Sequence, residues 1–231
     1  MPPASPRRQP ARSADAWFRR DTTRRLLHEV QRQVVPELTR VFGHTGLYLR
    51  PADVVPPTLS GNLLAGVVSL VRDGDGFGGD LACRDDGLPF ASGTLSLVYA
   101  LFVFETSKAP QVLLQEIARV LKPEGVAILL TLNPWSLARL RWAFRGLACA
   151  DGQAFAARVR DVGLDVQRRR RVGPLWSPPA RIETAPPDGG AGPASRLRMA
   201  DLTVARRRDP GVTPLRAGSP RIAFHPGMSA G

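Results

Sequence analysis

Residues 88 to 133, LPFASGTLSLVYALFVFETSKAPQVLLQEIARVLKPEGVAILLTLN, constrain the fold of this chain more than any other stretch. A Leu-Pro-Phe turn leads into an apolar run from Leu95 to Phe104. An amphipathic segment, Pro110 to Leu121, comes next, and a Lys-Pro-Glu-Gly turn then opens a second apolar run, Val126 to Leu132. In the middle segment Leu113, Leu114, Ile117 and Leu121 recur at helical spacing, whereas Gln115, Glu116, Arg119 and Lys122 fall elsewhere. Pro123 and Gly125 end it. Both flanking runs are short and uniformly apolar, as strands buried on both faces of a parallel sheet must be. Neither is long enough to span a bilayer. The order is therefore strand, helix, strand.

With these residues in view the chain resembles a known family. Leu88-Pro89-Phe90, Leu97-Val98, Glu105, Leu114 to Leu121 and Pro123-Glu124-Gly125 are similar to the second half of a class I S-adenosylmethionine (SAM)-dependent methyltransferase of the type 11 kind. Asn133-Pro134-Trp135-Ser136-Leu137 and Thr213-Pro214-Leu215-Arg216 resemble a small bacterial subfamily with a degenerate glycine-rich motif, and the similarity runs from about residue 17 to residue 216. The resemblance implies an α/β fold, a Rossmann-like three-layer sandwich with a mostly parallel sheet and an antiparallel last strand. It also implies SAM as cofactor and methyl transfer to a small-molecule acceptor. The alternative is a catalytically degenerate methyltransferase fold that serves as a partner-binding module.

The formal charge of +12 is unevenly spread. Residues 41 to 150 carry as many acids as bases, so the predicted core is neutral and the excess lies at the two ends. Arginine runs bind phosphate without sequence preference, but no aromatic residues are interleaved with these and no recognised module accompanies them, so nucleic acid is not expected as a partner. Cys83 and Cys149 are the only cysteines, which excludes a disulfide framework or a cysteine metal cluster. No apolar stretch follows Met1, and the expected compartment is cytoplasmic. Residues 1 to 15 read as a disordered basic tail, 16 to 216 as one domain with a mobile Pro/Gly-rich loop near 173 to 196, and 217 to 231 as a second tail.

Before the central stretch, Ala16 to Phe42 reads as a helix with Leu27, Val30, Val34 and Leu38 on one face and a break at Pro36. Strands are expected at Gly46 to Leu49, within Leu63 to Val71, and at Asp80 to Arg84. After it, a helix is expected from Asn133, another over Gln153 to Val162 with Gly163 as its C-cap, and strands at Leu164 to Arg168 and Arg198 to Ala205. The Arg168 to Arg171 run reads as a solvated strand end.

The resemblance locates cofactor-binding positions at the carboxyl ends of the strands. Leu49 and Arg50 close the first strand, where glycines would let the backbone approach the methionine part of SAM; Arg50 and Pro51 are bulkier. Asp73, with Asp75 second, is the carboxylate for a ribose diol; both also suit an ordinary turn. Asp85, with Asp86 as fallback, is the acceptor for the adenine amino group, although Arg84 holds the family's place. Phe102 stands where relatives often carry His, as an adenine stack or as core packing. Glu105 orients the loop to the next helix. Asn133 and Trp135 are substrate-side candidates, with helix capping as the other explanation of Asn133. His44 reads as a loop histidine. No residue type or spacing nominates a catalytic group.

Overall fold

The computed structural model describes residues 13–142, 147, 149–176 and 193–208. Two helices, α1 (Ser13–Phe18) and α2 (Asp21–Leu38), precede β1 (Phe42–Arg50) and β2 (Leu63–Asp73). A hairpin adds β3 (Gly76–Gly79) and the two-residue β4 (Cys83–Arg84). The central unit is β5 (Leu95–Leu101), α3 (Pro110–Val120) and β6 (Leu121–Leu132), and α4 (Gly152–Asp161), β7 (Leu164–Val172) and β8 (Ala200–Arg207) complete the set. The eight strands form one sheet in the order β4-β3-β2-β1-β5-β6-β8-β7. β2, β1, β5 and β6 pair in parallel, and β8 runs against both β6 and β7. The antiparallel last strand is as expected.

Alternation along the strands divides the core into two layers. Tyr48, Leu97, Tyr99, Leu101, Ile128 and Leu130 pack toward Leu27, Val30 and Val34 of α2. Leu47, Leu49, Val98, Ala100, Ala127 and Leu129 pack toward Leu113 and Ile117 of α3 and Phe155 and Val159 of α4. Helices on both faces of one sheet make the three-layer sandwich. At Phe102 the alternation breaks. Its φ of +49° is left-handed, a conformation a bulky residue seldom adopts, and Phe102 joins Leu101 on the α2 side while Val103 and Phe104 turn to the other.

Local chemistry explains why the central stretch behaves as one unit. Glu116 accepts from the Leu88 amide at 2.9 Å, and Arg119 donates to the Leu88 and Phe90 carbonyls at 3.1 and 2.9 Å, so the exposed side of α3 holds the Leu-Pro-Phe turn. Arg207 of β8 donates to the Ala118, Arg119 and Leu121 carbonyls where α3 ends. Gly125 is needed there, since a Cβ would lie 2.8 Å from the Lys122 oxygen and 2.9 Å from that of Leu95.

Several expectations change. The first helix is two, and Phe42 starts β1 instead of ending α2. The parallel crossover from β1 to β2 carries no helix; Ala52, Val55 and Leu59 of that connection pack into the α2 layer instead. Of the expected third strand only Cys83–Arg84 pairs, against the Gly76–Gly79 hairpin arm. A 3-10 turn at Leu137–Arg141 replaces the helix expected from Asn133, with Trp135, Leu137 and Leu140 exposed. The arginines of β7 are not simply solvated: Arg168 meets Glu37 at 3.1 Å and Arg171 meets Asp201 at 3.4 Å. The 1–12 part of the basic tail, most of the 173–196 loop and Thr213 to Arg216 lie outside the described residues.

Candidate functional site

The carboxyl ends of β2, β4 and β5 converge on a residue that sequence reasoning passed over. The Arg72 side chain is 0% exposed; one guanidinium nitrogen donates to Asp85 and to the Gly76 oxygen, and the other to the Val103 oxygen at 3.0 Å. Its guanidinium also lies 4.1 Å over the Phe77 ring. The second oxygen of Asp85 accepts from the Ser107 hydroxyl at 2.5 Å. Asp85 thus lies beside the end of β5, and both of its oxygens are engaged by protein groups. The signal for Arg72 was its presence at the end of an otherwise apolar strand, where a cation needs a buried partner.

The other cofactor candidates scatter around this cluster. Asp73 follows Arg72 and is exposed at the hairpin turn, while Asp75 pairs with Lys108. Asp86 is exposed and pairs with Arg84 at 3.4 Å, so it does not substitute for Asp85. Phe102 is fully buried and stacked on Phe18 at 6.2 Å, in the cluster that holds Trp17 and Trp142; it is core packing in this structure. Leu49 is likewise a core residue of the α3 layer. Arg50 is buried, and its guanidinium donates to the Val55 oxygen at 2.5 Å, tying down the connection that follows β1. His44 is exposed near the amino end of β1, opposite this edge.

Beyond β5 and β6 lies a second group. Glu105 is 3% exposed. Its Oε1 accepts from the Leu132 amide at 2.5 Å, and its Oε2 has no hydrogen-bond partner. Burial pushes its carboxyl up to about 7, against the lowering effect of the Leu132 and Glu105 amides. Glu105 thus bridges the end of β5 to the end of β6, whereas the expected partner was the loop to α3. Next along the chain, Asn133 is fully buried and wholly structural in its contacts: its Nδ2 donates to the Arg196 and Arg198 oxygens, and its Oδ1 accepts from the Trp135 amide at 3.0 Å. That last contact is the local turn chemistry of an Asx residue. Trp135 is 65% exposed, and its indole donates to Asp151, the N-cap of α4, at 3.2 Å. Among the described residues no cluster of His, Cys, Asp and Glu could hold a metal ion, and no helix is long and apolar enough to cross a membrane.

Comparison with known proteins agrees with this architecture. A methyltransferase domain matches residues 74–129, from the β2–β3 turn into β6. The malonyl-[acyl-carrier protein] O-methyltransferase of Laribacter hongkongensis is 38% identical over 68 residues, 29% of this chain and 23% of that protein. A SAM-dependent methyltransferase of Aquifex aeolicus superposes with a TM-score of 0.55 at 13% identity, over 84% of this chain and 97% of its own. A chain of the complex between the Haloferax volcanii Trm112 methyltransferase activator and a methyltransferase gives 0.52 at 17% identity, over 85% and 98%. The chain covers about a quarter of the curated relative's length, while the fold likeness takes in nearly all of the solved chains. The central segment is thus similar to a methyltransferase domain, and the fold as a whole is one that solved SAM-dependent methyltransferases share.

Proposed function

We propose that the chain transfers a methyl group from SAM to a small-molecule acceptor at the carboxyl edge of the sheet. The observation that carries this reading is the methyltransferase-domain match, because residues 74–129 supply the ends of β4 and β5 and the connection between them. The cofactor family supplies a sulfonium-bound methyl, and positioning a nucleophile in line with it accounts for most of the acceleration such a site needs. The donor set suits the nucleoside half of SAM in kind. Asp73 is the acceptor for the ribose diol and Asp85 for the adenine amino group, the latter once Ser107 turns away. It does not suit the methionine half, where Arg50 fills the place of a glycine and holds Val55.

That misfit favours a second reading, a methyltransferase fold that has exchanged cofactor binding for a protein partner. The Haloferax neighbour is itself a chain of a complex with an activator, which makes a partner a concrete alternative. Calorimetric titration with SAM, and separately with S-adenosylhomocysteine, decides between the two. Saturable heat supports methyl transfer and justifies a screen of acceptors. No heat and no thermal shift at millimolar ligand, from protein shown to be folded, excludes it and leaves the partner reading.

A further inference from the structure

On the α3 and α4 side of the sheet, beneath the carboxyl ends of β5 and β6, lies a cavity of about 170 Å³. Its lining includes Phe104, Glu105, Thr131, Cys149, Phe155 and Arg158. Two polar groups of its lining belong to the set of buried side-chain atoms that have no partner in the fold. Glu105 Oε2 and Thr131 Oγ1 are both buried and neither has a hydrogen-bond partner. Buried polar atoms are almost always paired, and two orphans that line one cavity point to a missing donor. Phe104 and Phe155 form an edge-to-face pair with centroids 5.0 Å apart, so the same space has an apolar, aromatic wall.

We infer that this cavity is a binding site for a compact ammonium ion, about the size of a six-membered ring, whose N–H groups bond Glu105 and Thr131 and whose apolar body lies against Phe104 and Phe155. Its volume is close to the roughly 150 Å³ known to admit benzene in a protein interior. A cation fits better than a neutral donor, because a buried carboxylate gains most from an opposite charge and aromatic walls also favour one. Arg158 also lines the cavity, from an exposed position on α4 where solvent screens it. Burial pushes the Cys149 thiol up to about 12, so it stays neutral at physiological pH. Glu105 is thus the lining group that changes charge between pH 6 and 8. The site stands apart from the methyl-transfer reading, because none of the residues given to the cofactor lines it.

The probe is piperidinium chloride, with tetrahydropyran as a ring of equal size that has no N–H to donate. Each is titrated into the full chain by calorimetry and by amide NMR at pH 6 and pH 8. Piperidinium saturates with a dissociation constant on the order of 1 mM, as befits six non-hydrogen atoms, and binds about tenfold more tightly at pH 8, where Glu105 is ionised. Tetrahydropyran does not saturate. Thr131→Val weakens piperidinium by roughly three- to tenfold. Glu105→Gln weakens it at least as much and removes the pH dependence. Equal binding of the two rings identifies an apolar void and overturns the inference. Absence of saturation by piperidinium in the unaltered chain, or equal affinity at both pH values, overturns it as well. Should Glu105→Gln fail to fold, the pH comparison and Thr131→Val still decide.

Discussion

Removing the Asp85 carboxylate separates a structural role from a cofactor role for that residue. In the structure it is the sole side-chain acceptor of Arg72, whose side chain is fully excluded from solvent and whose other acceptors are the Gly76 and Val103 carbonyls. Asp85→Ala leaves a buried cation with two carbonyl partners. Breaking a buried pair in this way costs about 3–5 kcal/mol, more than the pair itself contributes relative to apolar side chains. For a chain of this size each kcal/mol moves the melting midpoint by about 2–4 °C, so the midpoint falls by roughly 6–20 °C. Arg72→Met in the same chain removes the stranded charge, and the double variant recovers to within about 2 kcal/mol of the unaltered protein, a gain of about 1–3 kcal/mol over Asp85→Ala alone. Urea unfolding of the four proteins, followed by circular dichroism, reads all of these terms. The reasoning fails if Asp85→Ala loses less than about 1 kcal/mol. A variant of unchanged stability that no longer binds SAM assigns the carboxylate to the cofactor instead.

Two further predictions concern the β5–β6 end. The unfolded chain releases the Glu105 proton near the ordinary glutamate value, whereas the folded chain holds it until about 7. The contribution of this group is therefore full below pH 4.5 and is lost as pH rises to 7, a fall on the order of 3 kcal/mol. Urea midpoints at pH 5 and pH 8 show that decline, and Glu105→Gln abolishes it; parallel behaviour of the two proteins refutes the assignment. Asn133→Ala removes three side-chain hydrogen bonds and strands the Arg196 and Arg198 carbonyls. It destabilises the chain by roughly 2–4 kcal/mol and speeds hydrogen exchange at the Trp135 amide; unchanged exchange there means that the turn does not depend on Asn133.

What was legible in the sequence follows from which interactions are local. The β5–α3–β6 unit was readable because each boundary has its own chemistry: Pro110 at the start of the helix, Gly125 in a space that excludes a Cβ, apolar runs at a period the sheet demands. The Glu116–Arg119 pair looked like solvated surface, yet it holds the Leu-Pro-Phe turn 28 to 31 residues away. Asp85 was readable as a residue of the loop before Leu88, but its engagement by Arg72 depends on a tertiary meeting of β2 and β4 that no spacing encodes. Phe102 was readable as core packing, but not the side of the sheet on which it packs. Its left-handed φ reverses the alternation and turns the ring into the core, and an ideal strand pattern cannot anticipate that reversal. Thr131 was visible all along as the one hydroxyl in the run Val126 to Leu132.

The two halves of the carboxyl edge carry different weight as signs of function. In the β1–β2 half, the connection that lacks a helix still covers the sheet with Ala52, Val55 and Leu59, and Arg50 satisfies the Val55 carbonyl. The unpartnered atoms there, Arg50 Nε and Ser69 Oγ, do not line the cavity beneath Glu105 and Thr131. The β5–β6 half is otherwise. A carboxyl oxygen and a hydroxyl buried without partners each cost about 1–3 kcal/mol, and an alanine or valine at either position would spare the fold that cost. Natural folds carry such departures from local consistency at functional sites. The cavity beneath Glu105 and Thr131 is accordingly a better guide to what this chain binds than the edge formed by β1 and β2.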